Sequence, residues 1–300
     1  MEEKGLMQNK KANLAALTTY TIFGFTFLAT RLALDHTNAS MLLAVRFSIS
    51  FVCMSALLLI GVVKVSYKGK PILKLLALGF CQPIAYFIME TLGIQYTNSS
   101  FAGIIISLIP ISATLLSIVI LKERVAASKF FWIFCSIAGV SLLSYLQGST
   151  GAVQIKGIFF MLLAVLSASL FTILSRSTAE DFTAFERTYI MICMGSAVFV
   201  SFAVIKNGSS FIPLFVDIFT EPYAILPILY LSIVASIGAF LCLNYATNYL
   251  EVSKVTSYTN IQPVISLFAG VVFLSEPLSY IHFIACAMIL VGVYMVTKKD

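Results

Sequence analysis

Charge is scarce in this chain of 300 residues. Asp, Glu, Lys and Arg make up only 11% of it, whereas hydrophobic residues make up 60%. An ordinary soluble domain carries about 25% charged residues, because its surface must be covered with polar groups. The composition therefore argues against a soluble enzyme, a disordered protein and a nucleic-acid-binding module.

The residues that metal sites and disulfide frameworks need are also few and scattered. The chain has two histidines and six cysteines, and each cysteine lies in an apolar stretch, far from the others. This spacing argues against a disulfide framework and a metal site. Walker A, HExxH, GxGxxG and GxSxG strings are absent from the sequence, so an ATP-driven pump and a zinc protease lack their signature residues. We expect no enzymatic activity, no cofactor and no metal.

Apolar stretches long enough to cross a bilayer recur along the chain. A spanning helix needs about 20 mostly apolar residues. We number the ten stretches that meet this length as spans 1 to 10, over residues 12–34, 39–63, 71–95, 98–121, 129–147, 155–176, 183–205, 223–248, 252–275 and 279–297. The sequence thus predicts an all-α membrane protein with ten transmembrane helices.

The basic residues predict the orientation of these spans. With a cytoplasmic N-terminus, 15 of the 19 Lys and Arg residues fall on the cytoplasmic side. Cytoplasmic loops carry the excess of basic residues in membrane proteins. We therefore predict that both termini are cytoplasmic and that the protein lies in the plasma membrane, as a multi-pass protein of a bacterial inner membrane.

The two halves of the chain resemble each other. Residues 96–123 align without a gap with residues 249–276, at a shift of 153 residues. A weaker similarity aligns residues 25–31 with residues 170–176, at a shift of 145 residues. A repeat on this scale indicates a duplicated structural unit.

The duplication predicts two domains, residues 1–150 and 151–300, with five helices each. Because five is an odd number, the second half must enter the membrane from the opposite side. Inverted repeats of this kind are typical of secondary transporters, in which two near-equivalent halves expose one central site to either side in turn.

Three segments of the sequence carry a resemblance to a known family. They are the pattern Gly24-x-x-Phe27-x-x-x-Arg31 in span 1, the string LLAVRF around Arg46, and residues 90–123. Together they resemble the drug/metabolite transporter superfamily, EamA type, and the resemblance covers essentially the whole chain. Its most specific part is the span 4 block, with a central proline and a terminal glutamate, which the second half repeats.

This resemblance implies a ten-helix, inverted-repeat exporter of small metabolites, often amino acids. Substrates differ widely within the family, so the resemblance does not name the cargo. The chain departs from the family at one point, because Phe23 stands where a tryptophan often precedes the glycine of span 1.

Glu90 and Arg46 are the charged residues that the pattern places deepest in the membrane. A carboxylate at the centre of a spanning helix costs about 2.5–3.5 kcal/mol. Glu90 should therefore face the interior of the bundle, as a proton-coupling or cation-binding group or as part of a structural ion pair. Arg46 lies at a similar depth. The two charges either pair or divide a zwitterion between them, with Arg46 on its carboxylate and Glu90 on its amine.

Aligned prolines and glutamates mark spans 4 and 9. Pro110 and Pro263 lie mid-span. Each leaves an upstream carbonyl without its helical partner, and serves either as a break that lines a cavity or as a packing kink. Glu123 and Glu276 end these spans, and we interpret them as structural latches at opposite faces.

Further polar and aromatic residues within the spans are candidates for the wall of a binding cavity. They suit a small-molecule site, although each aromatic residue alone is also compatible with packing or a membrane-interface anchor. They are Tyr20, Tyr86, Asn244, Tyr245, Tyr258 and Asn260.

These observations predict a secondary transporter that exports small metabolites, most of all amino acids or related zwitterions, by alternating access around a central cavity. Its partners are the lipid bilayer and a small-molecule substrate, with protons as one coupling option and facilitated diffusion as the other. We expect no nucleic-acid partner, and either a monomer or a homodimer. The alternatives are export of cationic drugs, exchange of nucleotide sugars and a non-transporting membrane assembly factor.

Overall fold

The computed structural model describes residues 2–96, 105–146, 154–274 and 279–298. Across these ranges the chain is helical, without β-strands. In chain order the α-helices are Glu2–Leu34, Ala39–Leu59, Ile72–Gly79, Tyr86–Tyr96, Ile109–Leu116, Ala127–Leu146, Ile155–Ser177, Ala184–Asn207, Phe211–Thr220, Pro222–Leu229, Phe240–Tyr249, Val252–Ser257, Ile261–Leu274 and Tyr280–Thr297. The wider or tighter helical turns are Phe80–Ala85, Ser117–Leu121, Gly208–Ser210, Tyr230–Ala239 and Tyr258–Asn260.

Seven of the described helical stretches are long and apolar enough to cross a membrane. They occupy predicted spans 1, 2, 3, 6, 7, 8 and 10. Spans 4 and 5 carry the shorter apolar stretches Ile109–Leu121 and Ala127–Leu143, and span 9 is a helix interrupted at Tyr258–Asn260. Each predicted span therefore carries a helix, and the prediction of an all-α, multi-pass membrane protein is confirmed.

A short helix between spans 7 and 8 was not expected from the sequence. Phe211–Thr220 has ten residues, which at about 1.5 Å per residue cannot cross a bilayer. Its exposed apolar side chains include Ile212, Val216 and Phe219. A short helix with an apolar exposed side is suited to the membrane surface.

Polar side chains fix the start of spans 2 and 7. Asn38 accepts a hydrogen bond from the backbone N–H of Met41 at 3.0 Å and so caps span 2. Thr183 caps span 7 in a reciprocal capping box with Glu186. Such caps satisfy backbone donors that have no partner within their own helix.

The bundle has two faces, which we define by residues. Because successive spans alternate in direction, both ends of the chain lie on one face. This terminal face carries the ion pair between Lys129 and Glu251, with a separation of 3.0 Å between Nζ and Oε2. The opposite face carries the hydrogen bond from the Asn38 amide to Oδ1 of Asn207, at 3.1 Å.

The packing of the spans has an approximate two-fold pattern. Span 5 packs along span 10, and span 2 packs along span 7. Span 1 packs against spans 8 and 9, while span 6 packs against spans 3 and 4. Exchanging each span with the one five positions away leaves this pattern unchanged. The packing therefore fits two inverted five-helix repeats.

Close contact between spans 5 and 10 depends on two glycines. A Cβ atom at Gly139 would lie 2.8 Å from the carbonyl oxygen of Ala285, and one at Gly292 would lie 2.7 Å from that of Trp132. Small residues at such positions let two membrane helices approach each other. The contact therefore leaves no room for a larger side chain.

We predict that Gly139→Ala destabilises the protein by about 1–3 kcal/mol, the usual cost of overpacking. The loss should appear as a lower Tm of the detergent-purified protein. Gly238→Ala is the matched control, because a Cβ atom there would meet its nearest neighbour at an ordinary 3.7 Å. Equal Tm values for the two variants would contradict the close contact.

Candidate functional site

A cavity of about 610 Å³ enters the bundle from the opposite face. Its mouth lies at the exposed residues Leu34, Asp35 and Ala39, where spans 1 and 2 meet. Spans 1, 2, 3, 4, 6, 8 and 9 contribute to its wall. Span 2 contributes Arg46 to it.

Arg46 presents a largely buried cation to this cavity. Its Nε donates to Oγ of Ser236 at 2.7 Å, and its guanidinium lies 5.6 Å and 5.4 Å from the ring centres of Phe47 and Phe87. Among the described residues, neither Nη group finds a protein acceptor. These donors are therefore available to a ligand in the cavity.

Glu90 lies on the same cavity and is oriented by its own helix. Tyr86 precedes it by four residues, which places both side chains on one helix face. The Tyr86 hydroxyl donates to Oε1 of Glu90 at 2.8 Å. Charge-assisted hydrogen bonds of this kind are among the stronger ones in proteins.

Arg46 and Glu90 are not joined directly. Both line the cavity and both belong to the described part of the chain, where the ion pairs are formed by other residues. The arrangement fits the second of the two hypotheses from the sequence, in which the charges divide a ligand between them.

Span 3 is broken beside this site. At Phe80–Ala85 the helix widens, and Gln82 has extended backbone angles of φ −143° and ψ 124°. Gln82 lines the cavity, and the neighbouring Cys81 carbonyl accepts a hydrogen bond from Ser167 at 2.8 Å. This break was not predicted from the sequence, although Pro83 is a signal for it.

The equivalent part of span 8 is also widened, at Tyr230–Ala239. Hydroxyl groups from other spans again satisfy its backbone. Ser50 donates to the Ser232 carbonyl at 2.8 Å, and Thr19 donates to the Ala239 carbonyl at 3.1 Å. Irregular backbone at membrane depth requires such partners.

Pro110 and Pro263 each lie near the start of a half-helix. Pro110 is in the first turn of Ile109–Leu116, and Pro263 follows the tight turn Tyr258–Asn260. Because a proline has no N–H, it offers no hydrogen bond to the carbonyl of the residue four positions earlier. Those residues, Ile106 and Thr259, both line the cavity.

Aromatic rings close the cavity toward the terminal face. Phe23 contacts Tyr20 and Phe240, with ring centres 6.0 Å and 5.4 Å away. Phe171 contacts Phe240 at 6.3 Å. All four rings line the cavity, so they form a floor between it and the terminal half of the bundle.

Below this floor lies a polar cluster that we call the terminal-face cluster. Its members belong to spans 6, 7 and 8 and are connected by hydrogen bonds. They are Ser175, Arg187, Thr188, Asn244, Thr247 and Asn248.

Four residues expected in the cavity wall lie elsewhere in the structure. Asn244 is fully buried in the terminal-face cluster. Tyr258 donates to Oδ1 of Asn13 at 3.0 Å, Asn260 donates to Oγ of Ser136 at 2.7 Å, and Tyr245 contacts the ring of Tyr249. The expected residues that line the cavity are Glu90, Arg46, Tyr86 and Tyr20.

Glu123 joins three elements at the terminal face. Its Oε2 accepts the backbone N–H of Val252 at 3.2 Å, and its Oε1 lies 3.8 Å from Nε of Arg176. Burial raises the pKa of Glu123, although the Val252 N–H and the Arg176 charge oppose this shift. Glu276, its counterpart in the repeat, lies outside the described residues.

Arg176 extends this contact to span 8. Its Nη1 donates to the carbonyls of Thr247 and Asn248 at 2.9 Å and 2.7 Å. Carbonyls at the end of a helix lack partners of their own and attract cations. Glu123 and Arg176 therefore link spans 4, 6 and 8 to the start of span 9.

The fold and the cavity define a multi-pass membrane protein of the inverted-repeat class. The model of the EamA-like transporter family matches residues 10–145 and again residues 155–298. The chain therefore belongs to the EamA-like transporter family, which makes it a membrane transporter with a small-molecule substrate.

Individual relatives are consistent with this assignment. The Bacillus subtilis protein named uncharacterized transporter YcxC is 30% identical over 293 residues, which cover 95% of this chain and 92% of that protein. An uncharacterized transporter of Archaeoglobus fulgidus is 27% identical over 290 residues, 97% of this chain and 99% of that protein. A solved crystal structure with 20% identity superposes with a TM-score of 0.73, covering 95% of this chain and 98% of the other. That structure supports the fold alone.

We predict that Tyr86→Phe weakens transport, because it removes the donor that orients Glu90. Loss of a hydrogen bond to a charged group costs about 1.5–3 kcal/mol, so exchange should fall roughly tenfold or more. Counterflow of a labelled substrate into proteoliposomes measures this. Tyr145→Phe is the matched control, since that ring is 80% exposed. Equal exchange by both variants would exclude a role for the Tyr86 hydroxyl.

Proposed function

We propose that this protein is a secondary transporter that exports small zwitterionic metabolites, amino acids first, by alternating access. The observation that carries the proposal is one cavity lined by a cation, Arg46, and a carboxylate, Glu90, which are not partners in the direct ion pairs of the described residues. A ligand with one charge of each sign satisfies both groups. A ligand with a single charge leaves the other group unpaired in a low-dielectric site, which is costly.

The donor geometry on each side suits the two ends of an amino acid. The free Nη groups of Arg46 match the two oxygens of a carboxylate. The carboxylate of Glu90, held by the Tyr86 hydroxyl at 2.8 Å, suits an ammonium group. Phe87, Phe171 and Phe240 also line the cavity and offer apolar contact to a side chain.

The cavity is of the size that a small metabolite needs. Its volume of about 610 Å³ lies within the range of about 300–1,000 Å³ that is usual for small-molecule sites. An apolar wall with a few placed polar groups is also typical of such sites.

The orientation of the protein in the membrane decides whether its cavity opens to the outside or to the cytoplasm. The basic residues predict that the terminal face is cytoplasmic, in a bacterial inner membrane. The cavity then opens to the outside, and the aromatic floor and the terminal-face cluster close the cytoplasmic side. Alternating access requires a second conformation in which these roles are exchanged between the two repeats, residues 1–150 and 151–300.

The proposal predicts counterflow of labelled amino acids by the purified protein in proteoliposomes. Counterflow needs no ion gradient and so tests alternating access directly. Glu90→Gln should reduce exchange by about tenfold or more, because a charged contact to the ammonium group is lost. Glu180→Gln, which changes an exposed glutamate on the terminal face, should leave exchange unchanged.

The counterflow experiment has three possible outcomes. Exchange of amino acids that depends on Glu90 supports the proposal. Exchange of organic cations alone would replace the zwitterion with a cationic substrate. Correctly inserted protein that exchanges neither class would overturn the proposed substrate class.

We further propose that Glu123 is a latch of the terminal face. Glu123→Gln weakens the contact to Arg176 and should favour conformations open on that face. Leu43 lines the cavity. In a variant whose six cysteines are replaced by alanine, Leu43→Cys therefore reports access from the opposite face. Its labelling by a membrane-impermeant thiol reagent should slow in Glu123→Gln and stay constant in Glu180→Gln. Unchanged labelling in both would argue that Glu123 has no latch role.

A further inference from the structure

Arg187 is the central residue of the terminal-face cluster. It is fully buried. Its Nη2 donates to the Asn244 carbonyl at 2.6 Å and to Oδ1 of Asn248, and its Nη1 donates to the carbonyl of Ser175 and to Oγ of Thr247. Every one of these acceptors is a neutral oxygen.

The charge of Arg187 has no acidic partner in the described part of the chain. The ion pairs there involve Lys70, Lys129 and Arg176. A buried cation without a counter-ion is expensive, particularly within a membrane. Neutral donors can satisfy buried oxygens without this cost, so the charge itself calls for a function.

The internal repeat relates the terminal-face cluster to the cavity. At the shift of 145 residues, Ser175 corresponds to Thr30, and Arg187 corresponds to Leu42. This shift also aligns the structural start of span 7, Ala184, with that of span 2. The cluster and the cavity wall thus occupy equivalent positions in the two halves.

Two more pairs extend this relation. Thr188 corresponds to Leu43 at the same shift. The shift of 153 residues also relates the ends of spans 3 and 8, at Tyr96 and Tyr249, and it makes Asn244 the counterpart of Thr91. The four counterparts all line the cavity; they are Thr30, Leu42, Leu43 and Thr91.

We propose that the terminal-face cluster is the closed half of the transport pathway, and that Arg187 binds the substrate carboxylate when this half opens. The proposal rests on the transport function above and deepens it. The cavity on the opposite face is the open form of one half, and the cluster is the collapsed form of the other. When the terminal face opens, the cluster becomes the wall of a second cavity. Arg187 then occupies the position that Leu42 occupies in the wall of the present cavity.

Opening also explains why a carboxylate is the fitting ligand. Three of the acceptors around Arg187 are Asn244, Thr247 and Asn248 of span 8. Movement of span 8 away from span 7 removes them and leaves Nη2 without an acceptor, while Nη1 keeps the Ser175 carbonyl of span 6. A carboxylate offers two oxygens in the matching geometry and replaces them.

Paired cysteine variants test the pathway without any knowledge of the substrate. In a background without native cysteines, Ser175→Cys and its counterpart Thr30→Cys are labelled by a membrane-impermeant thiol reagent from each face. We expect Ser175→Cys to react from the terminal face alone and Thr30→Cys from the opposite face alone. Adding Glu123→Gln should speed the first reaction and slow the second. A Ser175→Cys that stays unreactive, with and without Glu123→Gln, would overturn the proposal and make the cluster a permanent structural core.

Protection of the same cysteine tests the carboxylate site. The probes are an equimolar mixture of L-amino acids and the matching mixture of amino acid amides, which lack the carboxylate. The amino acids should slow labelling of Ser175→Cys from the terminal face, and the amides should not. Arg187→Gln should raise the concentration for half-protection roughly tenfold to a hundredfold, and Arg187→Lys should raise it less. Equal protection by amides, or undiminished protection in Arg187→Gln, would overturn the carboxylate site.

Two controls separate this inference from the proposed function. If Arg187→Gln fails to fold, Arg187→Lys retains the charge and keeps the protection test decisive. If wild-type protein exchanges no amino acid while Ser175→Cys and Thr30→Cys still react reciprocally, the amino acid proposal and the carboxylate site fall, and the assignment of the pathway stands.

Discussion

The bilayer offers no hydrogen-bond partner to a protein backbone, and this constraint shapes the whole structure. Helices satisfy it along most of the chain. The exceptions are the widened turns of spans 3 and 8 and the half-helix starts in spans 4 and 9. In spans 3 and 8, hydroxyl groups from neighbouring spans bind carbonyls of the irregular turns, as Ser167 does for Cys81 and Thr19 for Ala239. Irregular backbone is therefore found where other spans or the cavity supply partners, and the cavity owes its polar wall to the same constraint.

Charged side chains within the membrane also need polar partners, and the two buried arginines of spans 2 and 7 obtain them in different ways. Arg46 and Arg187 lie on equivalent faces of spans 2 and 7, one turn apart in depth, since Arg187 corresponds to Leu42 and Arg46 follows Leu42 by four residues. Arg46 faces open space and has a single acceptor among the residues that the structure describes. Arg187 faces closed packing and is surrounded by neutral oxygens. In the proposed pathway, Arg46 belongs to the half that is open in this structure and Arg187 to the half that is closed.

The sequence predicted the spans and the repeat well, because both depend on the length of apolar stretches and on residue spacing. Glu90, Tyr86 and Arg46 were predictable as cavity residues, since charge at membrane depth must avoid lipid. Asn244 and Asn260 could not be placed from the sequence. Lipid and protein core are equally apolar, so an almost uniformly apolar helix does not reveal which of its sides meets a neighbouring helix and which meets a cavity. The break at Phe80–Ala85 was missed because the proline signal was applied only to the aligned pair, Pro110 and Pro263.

The two halves of the pathway are related by the repeat but differ in chemistry, and this difference has a thermodynamic consequence. Leu42 and Leu43 line the half that is open, whereas their counterparts Arg187 and Thr188 belong to the half that is closed. A ligand shifts a conformational equilibrium only by its difference in affinity for the two states. A carboxylate bound by Arg187 favours the conformation open on the terminal face, whereas Arg46 favours the present one. Because one half has Leu42 where the other has Arg187, the substrate can bind the two conformations with different affinities and so shift the equilibrium between them. An exactly symmetric pair of repeats would bind the substrate equally in both conformations and would not allow this.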